Sequence, residues 1–146
     1  MMAPSIAPAS LRDLDDITAL LVASKLPIEG LAAHLANTLV VRDGPGVVGV
    51  AALEVYAGGA LLRSVAVDER VRGRGVGQRL VEASLARARQ LGVPAVFLLT
   101  ETAEAFYPRF GFTRISRDEV PEDVKRSVEF TSLCPVSATV MRLLLV

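Results

Sequence analysis

Most of the structural information in this chain is carried by one stretch, Val67-Asp68-Glu69-Arg70-Val71-Arg72-Gly73-Arg74-Gly75-Val76-Gly77-Gln78-Arg79-Leu80. An apolar strand, residues 61–67, precedes it, and an amphipathic helix follows it. Glycines at positions 73, 75 and 77 let the backbone approach a ligand closely and direct N–H groups toward it. Because a helix N-terminus is partially positive, and Arg72 and Arg74 add charge, the stretch predicts a loop that binds an anion such as a pyrophosphate.

Two widespread phosphate-binding loops are excluded by spacing. A dinucleotide fingerprint requires G-x-G-x-x-G, but the residue three positions after Gly75 is Gln78. A P-loop requires Gly-Lys-Ser/Thr before its helix, and the sequence contains no such triplet. The residues instead fit Arg72-x-x-Gly75-x-Gly77 after a strand. That pattern resembles the acetyl-CoA-binding motif of the GCN5-related N-acetyltransferases, the GNAT family.

A second motif downstream supports the same resemblance. Residues 94–100 are nearly all apolar and predict a buried strand. The next segment, 102–112, contains Tyr107 and closes on Gly111-Phe112. It resembles the second GNAT signature, a short helix with a tyrosine followed four residues later by glycine. The two motifs occur in the expected order, so the resemblance covers nearly the whole chain.

Composition sets the class of protein. A chain of 146 residues with 51% hydrophobic residues suits one domain, residues 1–146. Sixteen basic and sixteen acidic residues cancel, which argues against binding to nucleic acid or to a membrane surface through net positive charge. The single cysteine, the absence of a bilayer-length apolar run and the lack of a signal-peptide pattern favour a cytoplasmic protein.

Hydrophobic periodicity and turn residues predict an alternating layout of strands and helices. Strands are predicted over 5–8, 38–42, 46–56, 60–67, 94–100 and 139–145. Helices are predicted over 11–24 (capped by Ser10), 28–36, 77–91 and 116–126. The buried face of the helix over 77–91 is predicted to consist of Leu80, Val81, Ser84, Ala88 and Leu91. The segment 116–138 is expected to lie over the acceptor pocket.

The resemblance implies an α/β fold. We expect a GNAT-type mixed, mostly antiparallel sheet of six to seven strands, flanked by helices and splayed between strands 4 and 5. Such enzymes transfer acetyl directly from acetyl-CoA, a cosubstrate, to an amine. Backbone groups of Val65, Ala66 and Val67 would bind the CoA arm and polarise the thioester carbonyl. The pyrophosphate would be bound by Arg72, Gly73, Arg74, Gly75, Val76, Gly77 and Gln78.

The resemblance also suggests catalytic and acceptor-binding residues. Tyr107 would donate a proton or a hydrogen bond to the departing thiolate. Many relatives carry a carboxylate at the position of Arg63, and an arginine cannot serve as a base. Arg63 could bind an anionic group of the acceptor, form an ion pair with Glu54, or be a solvated strand arginine. Glu54 and Glu101 are the candidate general bases. Thr100 and Glu129 are candidate acceptor contacts.

The substrate is less determined than the fold. The chain, through 26–31 and 129–138, resembles small N-acetyltransferases assigned to arsenic resistance. The favoured acceptor is therefore a small amino-acid-like amine, with an organoarsenical as one option. The alternatives are a peptide or protein amine acetyltransferase and a non-catalytic acyl-CoA sensor. Neutral charge and strand edges are compatible with a homodimer. Cys134 is expected to be a buried small apolar residue and His34 a surface residue, and no metal site is predicted.

Overall fold

The computed structural model describes residues 5–133 and 136–145. This part of the chain forms a seven-stranded sheet with the order β1-β2-β3-β4-β5-β7-β6. The strands are β1 Ser5–Pro8, β2 Thr38–Asp43, β3 Gly46–Tyr56, β4 Gly59–Val67, β5 Ala95–Thr100, β6 Thr113–Ile115 and β7 Thr139–Leu144. The two α-helices are α1 Leu14–Ala23 and α2 Val76–Gln90. All strand pairs are antiparallel except β4 with β5, which is parallel.

The two helices cover opposite faces of the sheet. Alternate residues of a strand point to opposite faces. On β3, Ala51 and Leu53 belong to the apolar cluster that contains α2, whereas Val50 and Ala52 belong to the cluster that contains α1. The sheet is therefore buried on both sides, and the expected mixed, helix-flanked architecture is confirmed.

The sheet is splayed between β4 and β5. These strands pair only at Ala60 with Val96 and at Leu61 with Phe97, and then separate. Farther along β4, the register against β3 shifts and Ser64 adopts a left-handed backbone conformation (φ 59°). One extra residue on β4 makes this a β-bulge, which bends the strand away from regular pairing. The splay predicted between strands 4 and 5 is confirmed, and it opens a cleft at the end of the sheet where Val67 and Thr100 lie.

Most predicted elements are confirmed, with ends that differ by one residue. The N-terminal helix is divided in two: Leu11–Asp13 forms a 3₁₀ turn before α1, and the Ser10 amide donates to the Asp13 carboxylate at 2.8 Å. The predicted helix over 28–36 is instead a 3₁₀ segment, Leu31–Asn37, that starts after Gly30 in a left-handed conformation. The short strand β6 was not predicted; at three residues it is too short to show a periodic pattern.

Two predictions about helices were wrong. Residues 116–126 form two separate 3₁₀ turns, Arg117–Glu119 and Val124–Arg126. The reason is Pro121, which disfavours a helical conformation at Val120; that residue is extended (ψ 132°). On α2, Leu91 lies beyond the last turn and is 40% exposed, whereas the other four predicted core residues and Leu85 are buried.

A search for membrane-spanning segments among the described residues found no helix that combines the length and the apolar character needed to cross a bilayer.

The position of α2 depends on a glycine in β3. A Cβ added to Gly49 would lie 2.9 Å from Leu80 Cδ1 and 3.1 Å from Val76 Cγ1, both on α2. Gly49→Ala should therefore lower the free energy of unfolding by about 2 kcal/mol, because the helix must shift outward. Urea denaturation measures this.

Gly46→Ala on the same strand is the matched control, since nothing lies within 4 Å of the added Cβ. Equal stability changes in the two variants would contradict the packing argument.

Candidate functional site

A cavity of about 480 Å³ occupies the gap between β4 and β5. Its walls come from four parts of the chain. These are residues 24–27 after α1, residues 62–67 of β4 with Arg72, residues 98–103 with Tyr107, and Glu129, Leu133 and Ala138 from the C-terminal segment. The last group belongs to the segment 116–138, which the sequence predicts to lie over the acceptor pocket.

The glycine-rich loop forms a second, smaller cavity of about 250 Å³ at the start of α2. Gly73 and Gly75 are in the left-handed region (φ 82° and 76°), and a Cβ at either would meet nothing within 4 Å. Glycine is needed at these two positions for backbone conformation rather than for space. The turn before the loop is fixed by Asp68, whose carboxylate accepts from the Arg70 amide and guanidinium at 2.9–3.0 Å.

The first turn of α2 is suited to an anion. Helical hydrogen bonding begins where the Arg79 amide donates to the Gly75 carbonyl at 3.0 Å. The amides of Val76, Gly77 and Gln78 therefore lack partners inside the helix. Gly75, the N-cap, has no side chain to occupy them, and no acidic residue lies in the first turn. The positive end of a fifteen-residue helix thus faces the small cavity with open donors.

The two cavities adjoin at the end of β4. Val67 and Arg72 lie in the walls of both. The Asp68 carbonyl accepts from the Val71 amide at 3.0 Å, whereas the Asp68 amide donates to the Val48 carbonyl at 2.8 Å and so points toward β3. Because backbone direction alternates along a strand, the groups of Val67 point the other way, into the gap. There the Val67 carbonyl accepts from Arg72 Nε at 3.2 Å.

Tyr107 lies in the wall of the large cavity and is 8% exposed. Its ring packs edge-to-face against Phe106 and Phe112, with centroids 5.2 and 5.7 Å away. Burial raises the pKa of the Tyr107 hydroxyl to about 12. The phenol therefore stays protonated across the physiological range and can act as a donor toward the cleft.

Beneath the cavity wall, Glu54 is the centre of a buried polar cluster. Its carboxylate accepts from Arg63 Nη1 at 2.9 Å and from the Tyr56 hydroxyl at 2.5 Å, and His34 Nε2 lies 3.8 Å away. Burial tends to raise the pKa of Glu54, but hydrogen bonds with Ser127, Tyr56 and Arg63 and the nearby His34 together lower it. Glu54 is 1% exposed and is not one of the residues that form the cavity wall.

The side chain of Arg63 is fully buried, and each of its nitrogens has a partner. Nη1 donates to Glu54, Nε to Ser64 Oγ at 3.2 Å, and Nη2 to the Pro27 carbonyl at 3.4 Å. Of the alternatives raised for Arg63, the ion pair with Glu54 is the one that this structure contains, and the solvated arginine is wrong because the side chain is buried. Binding of an acceptor anion by Arg63 would require this cluster to rearrange.

The remaining predicted residues lie in the cavity wall. Thr100 Oγ1 accepts from the Ala103 amide at 2.9 Å and so shapes the turn after β5. Glu101 is exposed, whereas Glu129 is 7% exposed and its amide donates to Ser127 Oγ at 3.2 Å. The sequence did not predict that residues 24–27 line the cleft. The available signal was Lys25, a cation next to the Leu26-Pro27 helix break.

Two other sequence predictions concern Cys134 and His34. Cys134 lies outside the described residues. His34 is half-buried beside Glu54 rather than at the surface. Within residues 5–133 and 136–145, no group of three or more His, Cys, Asp or Glu side chains is arranged to hold a metal ion.

Comparison with known proteins gives consistent matches. A sequence model of the family described as Acetyltransferase (GNAT) domain matches residues 34–114. An uncharacterised N-acetyltransferase of Chlorobaculum tepidum is 32% identical over 103 residues, which are 70% of this chain and 66% of that protein. An amino-acid acetyltransferase of Mycobacterium tuberculosis is 40% identical over 79 residues, which are 53% of this chain and 45% of that protein. The chain thus spans two thirds or less of the length of these relatives.

Solved structures show the same fold. Rv2747 of Mycobacterium tuberculosis, in complex with CoA and NLQ, is 29% identical with a TM-score of 0.82, covering 98% of this chain and 100% of that one. The N-acetylglutamate synthase of Neisseria gonorrhoeae, complexed with CoA and N-acetyl-glutamate, has a TM-score of 0.83. At 22% identity, covering 100% of this chain and 36% of that one, it supports the fold alone.

The buried cluster makes a prediction about stability. Arg63→Met should lower the free energy of unfolding by about 3 kcal/mol, because it leaves Glu54 buried without its cationic partner. The double variant Arg63→Met/Glu54→Leu should recover much of that loss, since the unpaired charge is removed as well. Chemical denaturation of both variants measures the difference.

The matched control is Arg70→Met, which breaks the exposed ion pair with Asp68 and should leave the free energy of unfolding nearly unchanged, because solvent screens the pair. A small loss in Arg63→Met, similar to that of the control, would show that the cluster is not held by its charges.

Proposed function

Because the chain belongs to the GNAT acetyltransferase family, we propose that it transfers acetyl from acetyl-CoA directly to the amine of a small, amino-acid-like acceptor. The observation that carries the proposal is the cleft between β4 and β5, which adjoins a helix N-terminus with open amide donors. A nucleotide pyrophosphate needs such donors, and a thioester arm needs a narrow gap that leads away from them.

The loop residues are assigned to the cosubstrate. The amides of Val76, Gly77 and Gln78 bind the pyrophosphate, and the loop from Arg72 to Gly75 supplies further amides and positive charge. The side chains of Arg72 and Arg74 are exposed, and Arg72 lies in the wall of this cavity. Acetyl-CoA supplies an activated acetyl group whose leaving group is a thiol.

The end of β4 is assigned to the thioester arm. Beyond Leu61 this edge of β4 is not paired with β5, so its backbone groups are available to a ligand. Val67, and Val65 by the same alternation, direct backbone groups into the gap, and Ala66 lies between them in the cavity wall. An amide placed here stabilises negative charge that develops on the thioester carbonyl, a contribution worth about 3 kcal/mol for one donor.

Tyr107 is assigned to the leaving group. A hydroxyl with a pKa of about 12 holds its proton, whereas a free thiol has a pKa of about 8.5. Complete proton transfer to a released thiolate would be uphill by roughly 5 kcal/mol. Tyr107 therefore acts chiefly by donating a hydrogen bond as charge develops on the sulfur.

For the general base, the structure favours Glu101 over Glu54. Glu101 lies in the cavity wall, whereas Glu54 is buried behind it with a lowered pKa and bonds to Arg63 and Tyr56. Whether a general base is needed depends on the pKa of the acceptor amine. Deprotonating an amine with a pKa of about 10 costs about 4 kcal/mol at pH 7, but only about 1.4 kcal/mol when the pKa is about 8. In the second case water suffices.

The acceptor is proposed to be small because the cleft is walled on several sides. Glu129, Leu133 and Ala138 close the side toward the C-terminal segment, which disfavours an extended peptide groove. Glu129 would bind the acceptor ammonium, and Thr100 would shape the adjacent wall. Relatives named amino-acid acetyltransferases support an amino-acid-like acceptor. Organoarsenical amino-acid analogues, a cytoplasmic location and a homodimer remain predictions from the sequence alone.

The direct test is release of CoA thiol from acetyl-CoA in the presence of a panel of amino acids, amino-acid analogues, amino-bearing arsenicals and short peptides. We expect turnover with at least one small amine and little with peptides. Binding of acetyl-CoA without turnover on any amine would favour a sensor, and turnover on peptides alone would contradict the small-molecule assignment.

Tyr107→Phe should lower kcat about 10- to 100-fold while leaving the affinity for acetyl-CoA unchanged, because a hydrogen bond to a charged leaving group is lost. Steady-state kinetics and calorimetric titration with acetyl-CoA measure the two effects. Tyr56→Phe is the control. The Tyr56 hydroxyl bonds to Glu54, and neither residue lies in the cavity wall, so kcat should be unchanged in this variant. An unchanged kcat in Tyr107→Phe would remove this residue from the mechanism.

A further inference from the structure

The wall of the large cavity is formed in part by residues that follow α1. We propose that Lys25 in this segment binds an oxyanion of the acceptor, in the simplest case its α-carboxylate, and thereby selects anionic amines over neutral ones. The proposal rests on the proposed acetyl transfer and names the residue that would determine its specificity.

The placement of Lys25 is the first observation. Residues 24–27 lie in the wall of the large cavity and are absent from the wall of the small one. The small cavity, with Arg72 and the start of α2, is assigned to the pyrophosphate. Lys25 is thus a cation of the acceptor cleft rather than of the phosphate cradle.

The backbone of Lys25 is the second observation. The Lys25 amide donates to the Val22 carbonyl at 3.1 Å, and the Leu26 amide donates to the Leu21 carbonyl at 2.9 Å. This pattern is the Schellman ending of a helix, in which the residue at the position of Lys25 is left-handed and usually glycine. Lys25 has φ 58°, a backbone conformation that is energetically unfavourable for a residue with a Cβ but not for glycine. A lysine at such a position suggests that its side chain is used.

The charges around the cleft are the third observation. The cations in its described wall are Lys25, Arg63 and Arg72. Arg63 is buried and occupied by Glu54, Ser64 and Pro27, and Arg72 donates to Val67 beside the loop. In the described ranges, no carboxylate lies within ion-pair distance of the Lys25 ammonium. Lys25 is therefore the cation of this wall that is available to an acceptor anion.

The loop that carries Lys25 is held in place. Arg63 Nη2 donates to the Pro27 carbonyl at 3.4 Å, and Leu26 packs against the apolar cluster of α1. These contacts fix the backbone of the loop against β4, so little backbone entropy is lost when the exposed Lys25 side chain binds an acceptor.

The experiment uses the full chain and Lys25→Gly, which suits the left-handed backbone and removes only the side chain. Its thermal midpoint should equal or exceed that of the unaltered protein. The substrates are L-amino acids and their α-amides, with glutamate and glutamine added to separate α-carboxylate from side-chain carboxylate. In the unaltered protein, kcat/KM should favour the acid over its amide. In Lys25→Gly this preference should fall about 10- to 100-fold, because a charged hydrogen bond is lost.

Lys25→Arg should retain most of the preference, and Lys125→Ala, a change of the other lysine in the chain, should retain all of it. Calorimetric binding of the same acids and amides in the presence of CoA gives the comparison without turnover. The inference is overturned if the acid-to-amide ratio is the same in Lys25→Gly, or if the unaltered protein shows no preference. Absence of transfer to every amine would instead defeat the proposed function.

Discussion

The separation of β4 from β5 after two paired residues is the constraint on which the rest of the structure depends. Parallel strands in a closed sheet would satisfy each other's backbone groups and leave no gap. Here pairing stops at Leu61 and Phe97, and the bulge at Ser64 redirects the strand. The exposed backbone of β4 and Tyr107 consequently face the large cavity, which adjoins the small cavity at the start of α2. The proposed site for the thioester arm uses backbone groups of β4 that this separation leaves unpaired.

A buried polar cluster supports the splayed strand. Glu54 and Arg63 lie on β3 and β4 just before the bulge, and Arg63 extends from there to the Pro27 carbonyl. The ion pair is screened little because it is buried, and it is satisfied by neighbouring hydrogen bonds, which is the condition under which such a pair is tolerated. It links the sheet to the loop that carries Lys25. We interpret the arginine at position 63 as a residue that positions this loop.

Much of the fold could be predicted from the sequence because its signals are local. The alternation of apolar residues and the Asp43-Gly44-Pro45 turn identified the hairpin, and the glycine-rich loop identified the start of α2. The features that were not predicted depend on tertiary contacts. Pro121 divides a segment whose composition resembled a helix, and β6 exists only because β7 pairs with it. Lys25 was missed because its importance comes from a backbone conformation and a cavity wall, neither of which has a periodic signature.

The central claim, that open backbone amides of the loop and of β4 bind the cosubstrate, is tested most directly by amide chemical shifts during titration with CoA. We expect the largest changes at the amides of residues 73–78 and 65–67, and only small changes at the far end of α2. Saturable binding that moved other amides while leaving these in place would contradict the account, as would no binding at millimolar CoA.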